Sequence, residues 1–457
     1  MGHESKLAKV LTRSSSIKPD AGFAARALAL DILQDVEEKS LYANLATPDY
    51  LTRSDLVTRD RAFVTELVYG TLRRRIFYDA IIESASSRPV NHIDLKVLHI
   101  LRITAHQLLT LNTPAHAAVD SAVRLAIRKG VGSASGFVNA ISRRISERKI
   151  DSWIEVLSRG RKELELLSVT YSHPEWIVAA YLQRLGNIDE VRAELEANNI
   201  NPSINAVIYP GATWSDSSVE QSKSAHWSAD CRIFAGNPEE IPEIRNLTAG
   251  IQDEGSYLIS QAFASIPTSS RGPWVDLCAG PGGKAAVISR IAQTSGYEFL
   301  AIDRSEHRAK LVTRVTKKVV VADGSKPPLP SQSVGKILVD APCSGLGALR
   351  RRPDARYRKS PQDIEALVTV QRALLAAAIQ LLEVGGILGY VTCSPIFAET
   401  RANTDWMLAN FSQMELVDAR QYFPVEMNLD ESHDVQLWPS KHGTDAMYLA
   451  LFRKIGD

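Results

Sequence analysis

Trp274-Val275-Asp276-Leu277-Cys278-Ala279-Gly280-Pro281-Gly282-Gly283-Lys284 is the stretch that decides the fold of this chain. It contains a short apolar run, an acid and a glycine-rich turn, and residues 285–288 continue with a helical pattern. A strand, a glycine turn and a helix in this order form the first unit of a nucleotide-binding α/β sheet. Glycines in the turn let backbone N–H groups approach a ligand closely. The spacing is not G-x-G-x-x-G, so a turn that binds nothing is the alternative for this stretch alone.

Acidic residues follow three further predicted strands. These strands are residues 298–302, 319–321 and 336–339, and the acids after them are Asp303, Asp323 and Asp340. In open α/β sheets, ligands bind at the carboxyl ends of the strands, and an acid about 20 residues past the glycines typically binds ribose hydroxyls. The repeated placement therefore predicts a nucleoside-binding edge.

Length and composition limit the classes of protein to which the chain can belong. Its 457 residues are too many for one compact domain, and a hydrophobic content of 45% is ordinary for a soluble globular protein. No apolar run is long enough to span a bilayer, and residues 1–18 lack the apolar core of a signal peptide. We therefore expect a cytoplasmic protein without a membrane partner. The formal net charge of +1 requires local basic patches for any nucleic-acid partner.

The domain organisation follows from changes in pattern along the chain. Residues 1–19 predict a flexible tail, 20–150 an all-helical domain, 151–250 a small α/β connector and 251–457 the α/β domain. Helical periodicity is clear, for example, where Val97, Leu101 and Ala105 share one face. In the connector, 203–209 predicts a strand and 213–228 a Ser-rich loop. The arginine run at residues 73–75 is either a solvated face or an RNA contact.

Cysteines supply the most specific chemical signal. Of four cysteines, Cys343 follows the fourth strand in Asp340-Ala341-Pro342-Cys343-Ser344, and Cys393 ends a fifth strand in Thr392-Cys393-Ser394. A thiol at a strand end beside a ligand cleft is a candidate nucleophile. The two thiols could instead form a redox pair, and a buried structural cysteine is the alternative for either one. No cluster has zinc-ligand spacing, so no metal is predicted.

A basic run at residues 350–359 comes after the Cys343 motif. It contains six Arg or Lys residues against one Asp, with Tyr357 between them. This composition suits a phosphate backbone with a stacking aromatic side chain, so the run predicts an RNA contact. A solvated loop is the alternative.

The Asp276–Lys284, Asp340–Ser344 and Thr392–Ser394 segments together resemble the three hallmark motifs of RNA cytosine-C5 methyltransferases. Residues 26–33, 60–70, 100–102 and 135–140 resemble the NusB-like helical domain. The whole chain is thus similar to the bacterial Sun/RsmB (Fmu) family, which methylates a cytosine of 16S ribosomal RNA. The resemblance implies a class I Rossmann-like methyltransferase domain with a mostly parallel twisted sheet, preceded by an all-α NusB-like domain. Gly280 stands where the family commonly has alanine.

The resemblance also implies S-adenosylmethionine as the cofactor. The backbone of Cys278, Ala279, Gly280, Pro281, Gly282, Gly283 and Lys284 would hold its methionine end. Asp303 would bind the ribose hydroxyls and Asp323 would lie near the adenine amine. Asp340 is both a catalytic and a cofactor-site residue in this interpretation.

The family chemistry implies different roles for the two thiols. Cys393 would add to C6 of cytosine, because C5 alone is a poor nucleophile. Asp340 would bond the N3/N4 edge of the base, and Cys343 would serve the release step. The expected partner is 16S ribosomal RNA, naked or in an early small-subunit particle, and the expected enzyme is a monomer.

Three alternatives remain open from the sequence. The first is a transfer-RNA cytosine-C5 methyltransferase. The second is a non-catalytic NusB-like RNA-binding or antitermination factor, which leaves the two cysteines and the strand-end acids unexplained. The third is a methyltransferase that acts on exocyclic amines or on protein, which would need no cysteine pair.

Overall fold

The computed structural model describes residues 21–456. The predicted tail over residues 1–19 lies outside the described residues. The chain divides into two compact units, of which the first ends at Ser172 and the second begins at His173. We describe each unit by itself, and the four-segment division drawn from the sequence stays a prediction.

The first unit is helical throughout its secondary structure. Its helices are α1 (Ala21–Glu38), α2 (Ala43–Thr52), α3 (Thr58–Arg73), α4 (Arg75–Ser86), α5 (Leu95–Leu109), α6 (Ala115–Arg128), α7 (Ser135–Ser146), α8 (Ile150–Ser158) and α9 (Glu163–Tyr171). Helix α5 is buried along nearly its whole length, and Asp94 caps its start by accepting bonds from Lys96 N and Val97 N. The predicted apolar faces of α1 and α5 therefore form the core of this unit.

The arginine run in this unit is not a solvated face. Arg73 is buried, and Arg74 donates a 2.9 Å bond to the carbonyl of Thr170. Arg75 pairs with Glu37 at 2.7 Å. These three side chains are buried or bonded within the helical unit. Their contacts disfavour the RNA contact that was one of the two alternatives for this run.

The second unit contains every strand of the described chain. Its helices are α10 (Glu175–Leu185), α11 (Ile188–Ala197), α12 (Asp216–Glu220), α13 (Pro242–Arg245), α14 (Glu254–Ser265), α15 (Gly283–Thr294), α16 (Glu306–Val312), α17 (Pro361–Leu381), α18 (Arg401–Asn410) and α19 (Pro439–His442). Its strands are β1 (Ile204–Ile208), β2 (Ser222–Ser224), β3 (Cys231–Phe234), β4 (Ala249–Ile251), β5 (Trp274–Asp276), β6 (Phe299–Asp303), β7 (Val319–Val321), β8 (Val334–Asp340), β9 (Leu382–Thr392), β10 (Met414–Val417), β11 (Val435–Gln436) and β12 (Tyr448–Lys454).

A large mixed sheet carries the candidate site. Its order is β10-β12-β9-β8-β5-β6-β7, with β11 paired to β12. Strands β9, β8, β5, β6 and β7 are parallel, whereas β12 pairs antiparallel with β9 and β10 pairs antiparallel with β12. The chain leaves β5 for β6 on one side and later returns to β8 on the other. The β5–β8 crevice is therefore the topological switch point, where ligands bind in such sheets.

Helices cover both faces of this sheet. Neighbouring residues of a strand point to opposite faces, and Trp274 packs with α14 and α15 while Val275 packs with α17. The result is the Rossmann-like α/β architecture that was predicted. A smaller antiparallel sheet, β2-β3-β1-β4, precedes it.

Several predicted elements differ from the structure. The predicted strand over 203–209 is β1, but the predicted loop over 213–228 is wrong, because it contains α12 and β2. Helix α17 is long and apolar enough to cross a membrane by length and composition, although no such run was expected. It packs instead against the sheet, where Leu374, Leu375 and Ala378 lie in the core with Val339. Its apolar character is therefore that of a core helix.

Candidate active site at the switch point

The glycine turn leaves β5 and passes beside the end of β6. Asp276 ends β5, and its Oδ1 accepts a 3.2 Å bond from Cys278 N. The Gly280 N–H donates to Asp303 Oδ2 at 2.9 Å. Gly282 then adopts a φ of +116°, which favours glycine, and α15 begins at Gly283. The turn thus presents backbone groups and a helix N-terminus at the carboxyl edge of the sheet.

Glycine at position 280 has a steric reason. A Cβ there would lie 2.5 Å from Arg308 Cβ and 2.6 Å from Asp303 Oδ2. From the family resemblance we expected the turn to tolerate alanine at this position as well. In this chain the close approach of Arg308 and Asp303 excludes a methyl group unless these side chains shift.

Asp303 is fully buried at the side chain and tightly held. Its Oδ1 accepts a bond from Ser305 N at 2.8 Å and pairs with Arg308 at 3.0 Å. Arg308 lies on α16, which begins directly after this strand end. The sequence analysis missed Arg308, although its place one helical turn after the acid is a readable signal. The carboxylate is therefore fixed next to the glycine turn.

Asp323 has a looser environment. It is exposed, and its Oδ1 accepts bonds from Ser325 N at 2.9 Å and Ser325 Oγ at 2.8 Å. These two bonds lower the pKa of Asp323 below the usual value. The next residue, Gly324, packs so closely that a Cβ would lie 2.6 Å from the Leu277 carbonyl. This contact holds the Asp323 loop against the start of the glycine turn.

Lys284 links the glycine turn to the neighbouring strand β8. Its Nζ lies 2.8 Å from Asp340 Oδ2, and its side chain is only 11% exposed. Burial opposes the positive charge, but the Asp340 carboxylate outweighs burial and raises the pKa of Lys284. The sequence analysis assigned Lys284 to the cofactor through its backbone and missed this side-chain role. The ion pair connects the start of α15 to the end of β8 beside the switch-point crevice.

The two predicted catalytic thiols lie side by side. Cys343 Sγ and Cys393 Sγ are 3.3 Å apart, within hydrogen-bond distance for sulfur, and both thiols are free. The bond from Cys343 lowers the pKa of Cys393, and Lys284 and Arg352 lower it further against burial and Asp340. The same bond and burial raise the pKa of Cys343. Cys393 is therefore the more acidic thiol of the pair, and Cys343 is placed to donate its S–H to it.

Most of the predicted RNA-contacting run is used inside the chain. Arg351 Nη2 lies 2.8 Å from Asp253 and its Nε lies 3.1 Å from Asp445, while Arg350 pairs with the same two acids. Burial, together with repulsion from the Asp253 carboxylate, raises the pKa of Asp445 to about 6. Buried carboxylates hold these two arginines in place and neutralise their charge, which disfavours the predicted phosphate contact for both.

The remaining arginines of the run divide into two groups. Arg356 is fully buried and donates to Asn199 Oδ1 at 3.0 Å, and Arg358 pairs with Asp354 at 2.7 Å. Arg352 is exposed, and within residues 21–456 no ion pair is formed by its guanidinium. Its charge acts on Cys393. Arg352 is therefore the best placed of the five arginines to meet a phosphate near the thiols.

Two buried acceptors beside the turn test the fit of the expected cofactor. Asp276 Oδ2 and Gln252 Oε1 have no hydrogen-bond partner in the described chain. The Gln252 carboxamide lies 3.6 Å from a Cβ built on Gly283, so it lines the turn. Burial and Asp340 raise the pKa of Asp276 to about 8. Unsatisfied acceptors next to a glycine cradle and a buried strand-end acid suit S-adenosylmethionine, which carries an ammonium group and ribose hydroxyls.

The fold and this site define an S-adenosylmethionine-dependent RNA methyltransferase. The model of the 16S rRNA methyltransferase RsmB/F family matches residues 266–453, and the NusB family model matches residues 24–147. A putative methyltransferase of Mycobacterium tuberculosis is 37% identical over 94% of this chain and 96% of its own length. The chain belongs to the RsmB/F family and carries an N-terminal NusB domain.

More distant relatives agree with this assignment. A probable ribosomal RNA small subunit methyltransferase B of Synechocystis is 30% identical, and the alignment covers 94% of this chain and 99% of that protein. Among solved structures, PH0851 matches with a TM-score of 0.75 at 20% identity, over 95% of this chain and 99% of that one. NSun6 from Pyrococcus horikoshii, solved with SFG, matches with a TM-score of 0.52 at 17% identity, over 62% and 99%. These structures share the fold.

Proposed function

We propose that this enzyme methylates C5 of a cytosine in 16S ribosomal RNA through a covalent bond between Cys393 and C6 of the base. The observation that carries the proposal is the thiol pair, with its sulfurs 3.3 Å apart at the switch point of a methyltransferase sheet. Methyl transfer to an amine or an oxygen has no need of two adjacent thiols. Transfer to an unactivated ring carbon needs a nucleophile, and a thiolate supplies one.

The first half of the reaction assigns work to Cys393 and Asp340. The Cys393 thiolate adds to C6, and the electrons of the C5–C6 double bond make C5 nucleophilic. Asp340 binds the N3/N4 edge of the ring and stabilises the added charge with a proton shared at N3. S-adenosylmethionine, when bound, would supply an electrophilic methyl group to C5 and would leave as S-adenosylhomocysteine. The base must leave the RNA stack to be reached from both sides.

The second half of the reaction assigns work to Cys343. C5 now carries both a methyl group and a proton, so the proton must be removed before the ring can regain its double bond. We assign this proton transfer to Cys343, which acts as the base in its thiolate form. The electron pair of the C5–H bond then re-forms the double bond with C6, the C6–S bond breaks and Cys393 leaves as the thiolate.

The cofactor assignments follow the strand ends. Residues Cys278 to Lys284 hold the methionine end through their backbone, and the unpartnered Asp276 Oδ2 and Gln252 Oε1 accept bonds from it. Asp303 binds the ribose hydroxyls. Asp323, which follows the neighbouring strand β7, would meet the adenine amine.

The choice of ribosomal RNA rests on relatives and on the helical unit. Proteins 28% and 30% identical to this one are named probable ribosomal RNA small subunit methyltransferase B in Bacillus subtilis and Synechocystis, and each is covered over 99% of its length. The helical unit matches the NusB family. We infer a monomeric enzyme of the cytoplasm that acts without a membrane, on free 16S ribosomal RNA or on an early small-subunit particle.

Bisulfite mapping tests this function directly. Total RNA from cells with and without the gene is converted and sequenced, and a Cys393→Ala strain serves as the matched control. We expect one cytosine of 16S ribosomal RNA to lose its methyl group in both mutant strains. Loss of a methyl group from transfer RNA instead would move the substrate to that class. Unchanged 5-methylcytosine in every RNA would reject the proposed reaction.

A further inference from the structure

A buried glutamate joins the two loops that carry the thiols. Glu399 lies at the end of the short 3-10 helix Phe397–Glu399 and its side chain is inaccessible to solvent. Its Oε2 accepts bonds from Ser344 Oγ at 2.5 Å and Ser394 Oγ at 2.6 Å. Its Oε1 accepts a bond from Ser344 N at 2.8 Å. One carboxyl group therefore holds the residues that directly follow Cys343 and Cys393.

The geometry of these bonds fixes the separation of the loops. The two serine hydroxyls meet at the same carboxyl oxygen and are 3.2 Å from each other. A carboxylate oxygen has lone pairs for both donors, so neither serine has to give up its bond. Either loop can move away from the other only by breaking a buried bond to Glu399, which is costly.

A second layer of hydrogen bonds orients the carboxyl group. Gln371 Nε2 donates to Glu399 Oε1 at 3.1 Å and to the carbonyl of Pro342, the residue before Cys343, at 3.0 Å. Gln371 Oε1 in turn accepts bonds from Asn403 Nδ2 at 2.8 Å and Tyr390 OH at 3.2 Å. We call the bonds from Ser344 and Ser394 to Glu399 the clasp. Gln371 on helix α17 supports the clasp from inside the core, where these side chains are shielded from water.

We propose that Glu399 is a positioning residue that acts through Ser344 and Ser394 to keep the sulfurs of Cys343 and Cys393 within hydrogen-bond distance. The consequence is chemical as well as structural. When Cys343 donates its S–H to Cys393, the bond stabilises the thiolate that the proposed reaction needs. The catalytic importance of this contact rests on the proposed function, but the contact itself can be measured without RNA or cofactor.

Other charged groups also face the thiols and must be separated from the clasp. Lys284 on α15 and Arg352 after Cys343 favour the Cys393 thiolate, and Asp340 at the end of β8 opposes it. Glu399 itself opposes ionisation of Cys343. Loss of the Glu399 charge alone would therefore favour ionisation of Cys343. A rise of the Cys393 midpoint that comes with easier alkylation of Cys343 would report this charge effect, whereas a rise at Cys393 without that change at Cys343 reports lost geometry.

The test is the pH dependence of iodoacetamide alkylation at Cys393, resolved by peptide mass spectrometry on the full chain. In Glu399→Ala we expect the alkylation midpoint to rise by about one pH unit, since a bond to the charged group is lost. Alkylation near neutral pH should then be roughly tenfold slower. Cys343→Ala should raise the midpoint similarly, and the double variant should raise it no further, because both changes remove the same bond.

Glu243 offers a matched control in the same unit. It is buried on α13 and accepts bonds from Ser215 N at 2.9 Å, Ser215 Oγ at 2.7 Å and Ser218 Oγ at 2.6 Å. Glu243→Ala therefore breaks a carboxyl–serine cluster of the same kind that holds no cysteine loop. We expect it to leave the Cys393 midpoint where it is in the unaltered protein.

The outcomes separate the clasp from a merely structural role. An unchanged midpoint in Glu399→Ala, or a rise that adds to that of Cys343→Ala, would overturn the proposal. If Glu399→Ala does not fold, Ser394→Ala removes the bond from this loop to Glu399 Oε2 and keeps the carboxyl charge, and it should raise the midpoint by a smaller amount. No rise in that variant would also overturn it. The expected shifts in a protein that forms no 5-methylcytosine would support the clasp and reject the proposed function.

Discussion

The glycine turn and the thiol pair lie at the carboxyl edge of one sheet but are held in place by different means. The turn is built from consecutive residues, and backbone bonds such as Gly280 N to Asp303 position it. The thiol pair is built from two loops 50 residues apart in sequence, and the buried Glu399, on the segment that follows Cys393, joins them through Ser344 and Ser394. A cofactor common to many enzymes can be bound by a local motif, whereas two reacting thiols must be registered against each other by tertiary contacts.

Lys284 tests whether the glycine turn and the thiol pair are independent. It belongs to the turn in sequence, but its side chain pairs with Asp340 and acts on Cys393. In Lys284→Met the Asp340 carboxylate loses its 2.8 Å partner while staying partly buried. We expect the free energy of unfolding to fall by about 2–3 kcal/mol, less than for a fully buried pair. Denaturant titration measures this, and Lys284→Arg, which keeps the charge, should lose less than half as much.

The same variant also affects the thiols. Because Lys284 lowers the pKa of Cys393, its loss should raise the alkylation midpoint of that thiol. The sign is fixed, since removal of a positive charge disfavours the thiolate. A midpoint that falls, or one that stays the same, would show that the turn and the thiol pair are electrostatically independent.

Asp303 and Asp323 sharpen the comparison on the cofactor side. Asp303→Ala should weaken cofactor binding by about 1.5–3 kcal/mol, the usual contribution of a bond to a charged group. Asp323 is exposed and held only by Ser325 in the described chain, so Asp323→Ala should cost about 1 kcal/mol. Titration calorimetry with S-adenosylmethionine measures both. Equal losses would mean that burial does not set the strength of these contacts.

Gly280 tests whether the turn depends on close backbone packing. Gly280→Ala should destabilise the fold by about 1–3 kcal/mol, because the added Cβ meets Arg308 and Asp303 at 2.5–2.6 Å. Gly136→Ala on α7 is the control, since nothing lies within 4 Å of its Cβ. It should be neutral or stabilising by up to about 1 kcal/mol. Thermal unfolding of both variants decides whether the steric argument holds.

Arg352 gives the smallest expected effect. Arg352→Ala should reduce the slope of RNA affinity against salt, on logarithmic axes, by about 0.7–0.9, as one lost phosphate contact does. Arg351→Ala should leave that slope unchanged and lower stability instead, because Arg351 bonds Asp253 and Asp445. Filter binding across a salt series measures the slope. An equal drop for both variants would restore the whole run as an RNA-contacting surface.

The contrast between the two regions also explains what the sequence could reveal. The central strands β5 to β8 were predicted within a few residues, and β9 was predicted only near its carboxyl end, because apolar runs, glycines and strand-end acids are local signals. Strands β10, β11 and β12 were not predicted. They are short or antiparallel additions to the sheet, and nothing in the local pattern distinguishes them from loops and turns.

Side-chain partnerships were beyond the reach of the local pattern. Arg350 and Arg351 looked like a phosphate-binding run, because the acids that hold them, Asp253 and Asp445, are distant in sequence. Glu399 was missed for the same reason, since only the fold brings Ser344 to it. A serine follows the cysteine in both motifs, and this repetition was the one local signal of a shared partner for the two loops.

The covalent intermediate on a denaturing gel tests the central claim, that the two thiols act in succession and are not interchangeable. Cys393→Ala and Cys343→Ala are each incubated with S-adenosylmethionine and substrate RNA, then separated under denaturing conditions. Because Cys393 attacks and Cys343 releases, we expect a slowly migrating protein–RNA band from Cys343→Ala and none from Cys393→Ala, although neither variant turns over. A band from Cys393→Ala but not from Cys343→Ala would reverse the two roles, and normal turnover by both would contradict the thiol mechanism.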